Sequence, residues 1–419
     1  MKVLGLIVEY NPFHNGHLYH IEQSKKISGA EYVICVMSGN FIQRGEPAII
    51  NKWARAKSAL YSGVDLVIEL PVPYAISSAE SFAYGAVKIL NDIGIVDFLC
   101  FGSENGSVKD LNLIASILFN EPDSYKSLLK NELKKGISFP ASREQALIKY
   151  LSSNNTDCLN LIEILSNSNN ILGIEYLKAL KRLNSSISPL TIKRVNNSYN
   201  TEHLTGSISS ATAIRKNIYN SSDNFSENDL SSVLPEISKS IIHQEFLSGR
   251  GPVVASDFYN IITSFIRRIT PQQIKDIAHV KEGLENRIKN AAAKSGTYNE
   301  LLQNICTKRY TVTRIQRILM NILVGITSND LNMFNIYNGP QYARILGFNQ
   351  RGKYLLSLAK KNTSIPLILK TSDFISSCNP LLKRMLELEC ISTDMYVLGY
   401  KNPNYKKSGQ EFTQNIIKI

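Results

Sequence analysis

Two kinds of pattern alternate along the first hundred residues. Apolar, β-branched runs at 3–8, 32–37, 64–70 and 95–101 are each the length of a buried strand, and none alternates strictly between apolar and polar positions. Amphipathic stretches of helical length lie between them, at 17–27, 52–62 and 78–90. Strands and helices in this order predict an α/β fold built on a parallel sheet with right-handed crossovers. A fifth strand is expected at 190–195, after a helix carried by ILGIEYLKALKRL, and residues 104–170 read as a helical insertion with polar breaks such as SSNNTD.

Beyond about residue 221 the strand pattern almost vanishes. Residues 230–246, 256–268, 271–290, 299–305 and 313–326 read as successive helices, and SSDNFSEND at 221–229 is polar and turn-rich. From Tyr342 onward the pattern is mixed, with short strands expected at 367–369 and 395–400. At 419 residues and 43% hydrophobic content, the chain exceeds the roughly 250–300 residues at which one core stops growing. Two domains are therefore expected, an α/β domain at 1–220 containing the insertion and a mainly helical domain at 221–419.

Charge separates the two halves further. Residues 1–220 carry 22 Lys and Arg against 19 Asp and Glu, whereas residues 221–419 carry 25 against 16. A basic half joined to a near-neutral half suggests that the former meets a polyanion such as nucleic acid. KRYTVTRIQR places Lys308, Arg309, Arg314 and Arg317 around Tyr310. With a helix opening at Thr313, Arg314 and Arg317 share a face that can grip RNA phosphates, and Tyr310 can stack on a base. Arg344, Arg351, Lys353, Lys360 and Lys361 would extend that surface.

The six cysteines are scattered, with no CxxC pair and no zinc spacing, so no metal site is expected from them. Cys35 and Cys100 sit inside strand-like runs, which argues for core packing and against thioester catalysis. No apolar stretch approaches the roughly 18 residues of a membrane span, and a soluble, cytoplasmic protein without a membrane partner is expected.

Four unusual segments fall at the ends of expected strands, where doubly wound sheets bind ligands. NPFHNGH follows the first strand, and its two imidazoles open a helix whose free N–H groups and dipole favour an anion. SGNFIQRGEPA follows the second and carries Gln43 and Arg44. Either the loop is held by local hydrogen bonds, or these two side chains touch a substrate. FGSENG follows the fourth, and GSISSATAIRK the fifth, bringing hydroxyls and a guanidinium that suit a polyphosphate.

GLIVEYNPFHNGHLYHI and ISSATAIR resemble the two signatures of the HxGH nucleotidyltransferase superfamily. With SGNFIQRGEPA, FGSE, SNNILGIEYLKAL and KRYTVTRIQR, the chain is similar over nearly its whole length to the tRNA(Met) cytidine acetate ligase family. The resemblance implies a Rossmann-like nucleotidyltransferase domain that converts acetate and ATP, with Mg2+, into acetyl-adenylate. The acetyl group then passes to N4 of the wobble cytidine of elongator tRNA(Met), and no protein partner is implied. It further implies catalytic roles for His14 and His17 and an ATP site formed by Ile7, Val8, Glu9, Tyr10, Asn11, Pro12, Phe13, His14, Asn15, Gly16, His17 and His20. Gly102, Arg194, Ser209, Ser210, Thr212, Arg215 and either Asn169 or Asn170 complete that site. Lys308, Arg309, Arg314 and Arg317 would bind tRNA, and Glu9 and Asp65 are candidates for positioning Mg2+. A nucleotidyltransferase acting on a small molecule without RNA, and a non-catalytic RNA-binding protein, are the alternatives.

Overall fold

The computed structural model describes residues 1–153, 164–194, 209–220, 230–281 and 283–419. Cys158, Val195, Gly206 to Ile208, residues 221–229 and most of SSNNTD lie outside the described residues. In chain order the strands are β1 (Val3–Val8), β2 (Tyr32–Ser38), β3 (Phe41–Ile42), β4 (Glu46–Pro47), β5 (Leu66–Leu70), β6 (Phe98–Ser103), β7 (Ser188–Lys193), β8 (Ala343–Phe348), β9 (Leu367–Ile368) and β10 (Ile417–Lys418). The main sheet runs β10-β8-β5-β2-β1-β6-β7, with β9 beside β8, while β3 and β4 form a separate hairpin. From β5 to β7 every pairing is parallel. The chain moves outward from β1 to β2 and β5, then crosses back to β6 and β7, so the strand order reverses at β1.

Both faces of this sheet are covered, which is why its strands read as continuous apolar runs. Val33, Cys35 and Met37 of β2 point to one face, against Ile21 of helix α1 (Asn15–Ser28) and Trp53, Ala56 and Leu60 of α2 (Lys52–Tyr61). Ile34 and Val36 point to the other face. There, beyond the single turn α3 (Val72–Ala75), α4 (Ala79–Asp92) packs Phe82, Ala86, Ile89 and Leu90. The expected insertion is helical where described, with helices Val108–Asn120, Asp123–Leu133 and Phe139–Ser153 beside Ser168–Arg182. Cys35 and Cys100 are buried in strands as expected, and burial pushes the Cys100 thiol up to about 11.

The second half departs from its expected pattern in three places. Residues 343–348 form β8, which runs antiparallel beside β5, so the sheet takes strands from both sides of residue 221. Residues 395–400, expected as a strand, finish the helix Pro380–Tyr396 and a 3-10 turn, Val397–Gly399, that bury Tyr396, Val397 and Tyr400. The expected helix at 271–290 is divided into Pro271–Asp276 and Leu284–Lys294.

A buried ion network ties these distant segments together. Lys52 Nζ lies 2.6 Å from Glu69 Oε1, 3.3 Å from Glu389 Oε1 and 2.5 Å from Glu411 Oε1. Arg344 Nη1 lies 3.0 Å from Glu69 Oε2 and also pairs with Glu411. Arg344 is therefore interior, not part of the basic surface expected for it. Two cations face three carboxylates, and burial together with the charge of Glu69 pushes Glu389 up to about 8. Glu411 behaves oppositely: against burial, Arg344 and Lys52 hold it below the usual carboxylate range.

Candidate active site

The turn after β1 is held from three directions. Arg55, fully buried on α2, donates to the carbonyls of Glu9 at 2.6 Å, Ser38 at 3.1 Å and Ile50 at 3.2 Å, and also to that of Gly39. It pins the carboxyl ends of β1 and β2 together. Asn11 Oδ1 accepts from Ile49 N–H at 2.9 Å, and the Asn11 carbonyl accepts from Arg215 Nη1 at 3.0 Å. Glu9 Oε1 accepts from the Gln43 N–H at 2.8 Å. Nothing in KWARAK distinguishes Arg55 from a surface arginine, so the sequence reading missed it.

His14 and His17 cap helix α1 reciprocally. His14 Nδ1 accepts from Gly16 N–H at 3.1 Å, and His17 Nδ1 accepts from the His14 N–H at 3.2 Å. In a neutral imidazole, a nitrogen that accepts leaves the proton on the other one. Both rings are therefore fixed as Nε2–H donors, stacked with centroids 3.7 Å apart. Burial, reinforced by Arg194 and Arg215, depresses His14 to about 3. Burial, with His14, His20 and Arg194 nearby, likewise holds His17 well below the usual histidine range. His20 lines the same cavity with its Nε2 buried and unpartnered, and is held at about 4 by burial and Arg194.

The opposite wall comes from β6, β7 and two helices. Gly102 lies within β6, not after it, and the Arg194 side chain runs over it, its Cγ 3.4 Å from where a Cβ would stand. Asn170 Oδ1 accepts from the backbone N–H groups of Glu104 at 2.9 Å and Asn105 at 3.1 Å. It supports the FGSENG loop from behind, while Asn169 faces the cavity and donates to Glu104 Oε1 at 2.6 Å. Ser210 Oγ accepts from Ala213 N–H at 3.1 Å at the start of helix Ala211–Asn220, which carries Thr212 and Arg215.

These groups surround one cavity of about 450 Å³ at the crossover of the sheet. It brings together Ile7, Val8, Glu9, His14, Gly16, His17, His20, Gly102, Asn169, Arg194, Ser209, Ser210, Thr212 and Arg215. Tyr10, Asn11, Pro12, Phe13, Asn15 and Asn170 do not line it. Tyr10 and Phe13 are core residues whose rings pack on His17 at 4.9 and 5.6 Å, and Asn15 turns away to the carbonyls of Ser232 and Val233. Gln43 and Arg44 do line it, as do Ala79, Phe82 and Tyr176. The last three carry no sequence signal, because an apolar cavity wall has the composition of core. Asp65 is far from this crossover at the amino end of β5, where its carboxylate is engaged by Val33, Asn349 and Arg351. It is not a candidate for positioning Mg2+.

The basic segment packs beside the β3–β4 hairpin. Helix Val312–Val324 carries Arg314 and Arg317, both half-buried, while Lys308 and Arg309 precede it and are exposed. Tyr310 is 8% exposed and lies 5.1 Å under the Arg314 guanidinium, so its ring is not offered to a base as expected. Gly45, at φ +77°, presses its backbone against the helix, where a Cβ would stand 2.2 Å from Arg317 N. Gln316 Nε2 donates to Glu46 Oε1 at 3.2 Å. Of the further cluster, Arg351 stacks on Tyr32 at 4.6 Å, and Lys353, Lys360 and Lys361 are exposed.

Comparison with known proteins agrees with this geometry. The family model described as HIGH Nucleotidyl Transferase matches residues 1–411. The tRNA(Met) cytidine acetate ligase of Acetivibrio thermocellus is 65% identical, with both chains covered in full, and that of Halothermothrix orenii is 44% identical at the same coverage. Among solved structures, Thermotoga maritima TmcAL bound with alpha-thio ATP superposes with a TM-score of 0.92 at 37% identity, and its apo form with 0.95, each covering both chains in full. With the HxGH turn, the sheet crossover and full-length similarity in agreement, the chain belongs to the HIGH nucleotidyltransferase family and, within it, to the tRNA(Met) cytidine acetate ligases.

Proposed function

We propose that this chain is the ATP-dependent ligase that acetylates N4 of the wobble cytidine of elongator tRNA(Met), using acetate. The observation that carries the reading is the pair of neutral histidines held as Nε2–H donors in a cavity that also receives Ser209, Ser210 and Arg215. In the first step an acetate oxygen attacks the α-phosphorus of ATP, and the bond to pyrophosphate breaks. His14 and His17 donate to the phosphate oxygens on which charge develops. In the second step the N4 amine attacks the acetyl carbon, AMP leaves, and N4 loses a proton. An exocyclic cytosine amine is a weak nucleophile, which is why the acetyl group must first be activated.

Mg2+ would offset the charge of the ATP phosphates. Among the described residues Glu9 is the one carboxylate lining the cavity, and no group of three metal-ligating side chains is present. The triphosphate would supply most of the ion's ligands and Glu9 one more. Residues 1–220 carry adenylation, and residues 221–419 bind tRNA through Lys308, Arg309, Arg314 and Arg317. Among the described residues no helix is long and apolar enough to cross a membrane, and the enzyme works on tRNA in the cytoplasm.

The test combines acetate-dependent ATP–pyrophosphate exchange with mass analysis of nucleosides from tRNA incubated with ATP and labelled acetate. His14→Ala and His17→Ala are each expected to slow exchange by about 10²–10³-fold while tRNA still binds. Full activity in both variants would refute the assignment. A stable nucleotidylated small molecule as the end product, with no acetylated cytidine in the tRNA, would favour a small-molecule nucleotidyltransferase.

A further inference from the structure

The cavity has two chemically different ends, divided by the strand order. His14 and His17 after β1, Gly102 in β6, Arg194 after β7 and Ser209 to Arg215 supply the groups that suit a nucleotide. The cavity continues to the other side of β1, where its wall comes from segments that follow β2 and β5. Here the lining is Gln43 and Arg44 from the hairpin, with Ala79 and Phe82 from the first turns of α4. This wall is fixed in place. Besides the bond from its N–H to Glu9, Gln43 donates through Nε2 to the Ser77 carbonyl at 3.2 Å, next to the start of α4.

We propose that this end is the acid subsite, in which the Arg44 guanidinium binds the carboxylate of the acid while Ala79 and Phe82 enclose its alkyl group and limit its length. The assignment rests on the adenylating reading above. Local charge supports it: Glu9 lies in the field of Arg44, Arg55 and Arg215, and Arg44 and Arg215 are also flanked by Glu46. Among the described residues, Arg44 is the cation that lines this end of the cavity. An acid held there lies across the phosphate-binding turn from the nucleotide end. One of its oxygens attacks the α-phosphorus, a P–O bond forms, and the electron pair of the broken P–O bond leaves with pyrophosphate. No proton changes hands in this step. The apolar wall supplies selectivity because a single methylene changes the preference of such a pocket by about 10–200-fold.

The experiment is ATP–pyrophosphate exchange by the full chain, without tRNA, with acetate, propionate and butyrate as substrates. Wild type is expected to prefer acetate to propionate by about tenfold or more. Arg44→Ala should raise KM for acetate at least about tenfold with KM for ATP within about twofold, and Arg44→Lys should recover part of the loss. Ala79→Gly should shift kcat/KM toward propionate by about tenfold. Equal losses for ATP and acetate in Arg44→Ala, or an unchanged acid preference in Ala79→Gly, would overturn the subsite while leaving adenylation intact. Wild type that exchanges with no acid would refute both the subsite and the reading on which it rests.

Discussion

Replacing Lys52 by Met removes the cation that touches three carboxylates in the buried network. Arg344 would then face Glu69, Glu389 and Glu411 alone. Breaking a buried pair by deleting one partner costs about 3–5 kcal/mol, because the remaining charges have no water to turn to. Unfolding entropy of about 2.1 cal/mol/K per residue, over 419 residues, amounts to roughly 0.9 kcal/mol/K. Lys52→Met is thus expected to lower Tm by about 3–6 °C in calorimetry at pH 7. The companion variant Glu389→Gln should cost less than Lys52→Met, since Gln is uncharged, as burial favours, and its amide oxygen can keep the bond from Val72 N–H at 2.8 Å. That proton also has a pH signature. With Glu389 raised from 4.5 to about 8, the folded chain holds a proton that the unfolded chain releases. Its contribution to stability is complete below pH 4.5 and declines as pH rises towards 8. Glu389→Gln should flatten that decline. If Glu389→Gln destabilises as much as Lys52→Met, or if Lys52→Met has no effect, the charge assignment within the network is wrong.

Two further outcomes test other parts of the molecule. Gly45→Ala puts a Cβ 2.2 Å from Arg317 N at φ +77°, and should lower stability by more than about 1 kcal/mol in urea titration; wild-type stability would mean that the hairpin can lift off the helix at no cost. Lys308→Ala and Arg309→Ala should each reduce the slope of log Kobs for tRNA against log salt by about 1. Filter binding between 50 and 200 mM salt would measure it, and unchanged slopes would move the RNA contact elsewhere.

The parallel strands were legible in the sequence because helices cover both faces, leaving apolar runs bounded by turns. The HxGH turn was legible because two imidazoles beside glycine and proline are unusual at a strand end. What stayed hidden depended on distant partners. β8 is a short run containing Arg344, and only its pairing with β5 and the network around Lys52 make that arginine interior. Arg55 has the sequence context of a surface residue, although it gathers the carbonyls of Glu9, Ser38, Gly39 and Ile50. Asn169 and Asn170 are adjacent in the chain, yet the turn of their helix sends one into the cavity and the other beneath the FGSENG loop. Tyr310 was misread because an aromatic residue among arginines has the same local pattern whether it faces RNA or the core.

The buried network also sets a schedule. Lys52 and Glu69 emerge early in synthesis, whereas Glu411 is added 359 residues after Lys52. At about 5–20 residues per second, that interval is roughly 20–70 s. Until residues 343–348 are made, Lys52 and Glu69 have only each other, and the flank of β5 that β8 will cover is an open edge able to pair wrongly. A chain stopped before Glu411 would not simply lack a tail, because it would remove from the middle of the sheet the buried carboxylate that joins Lys52 to Arg344.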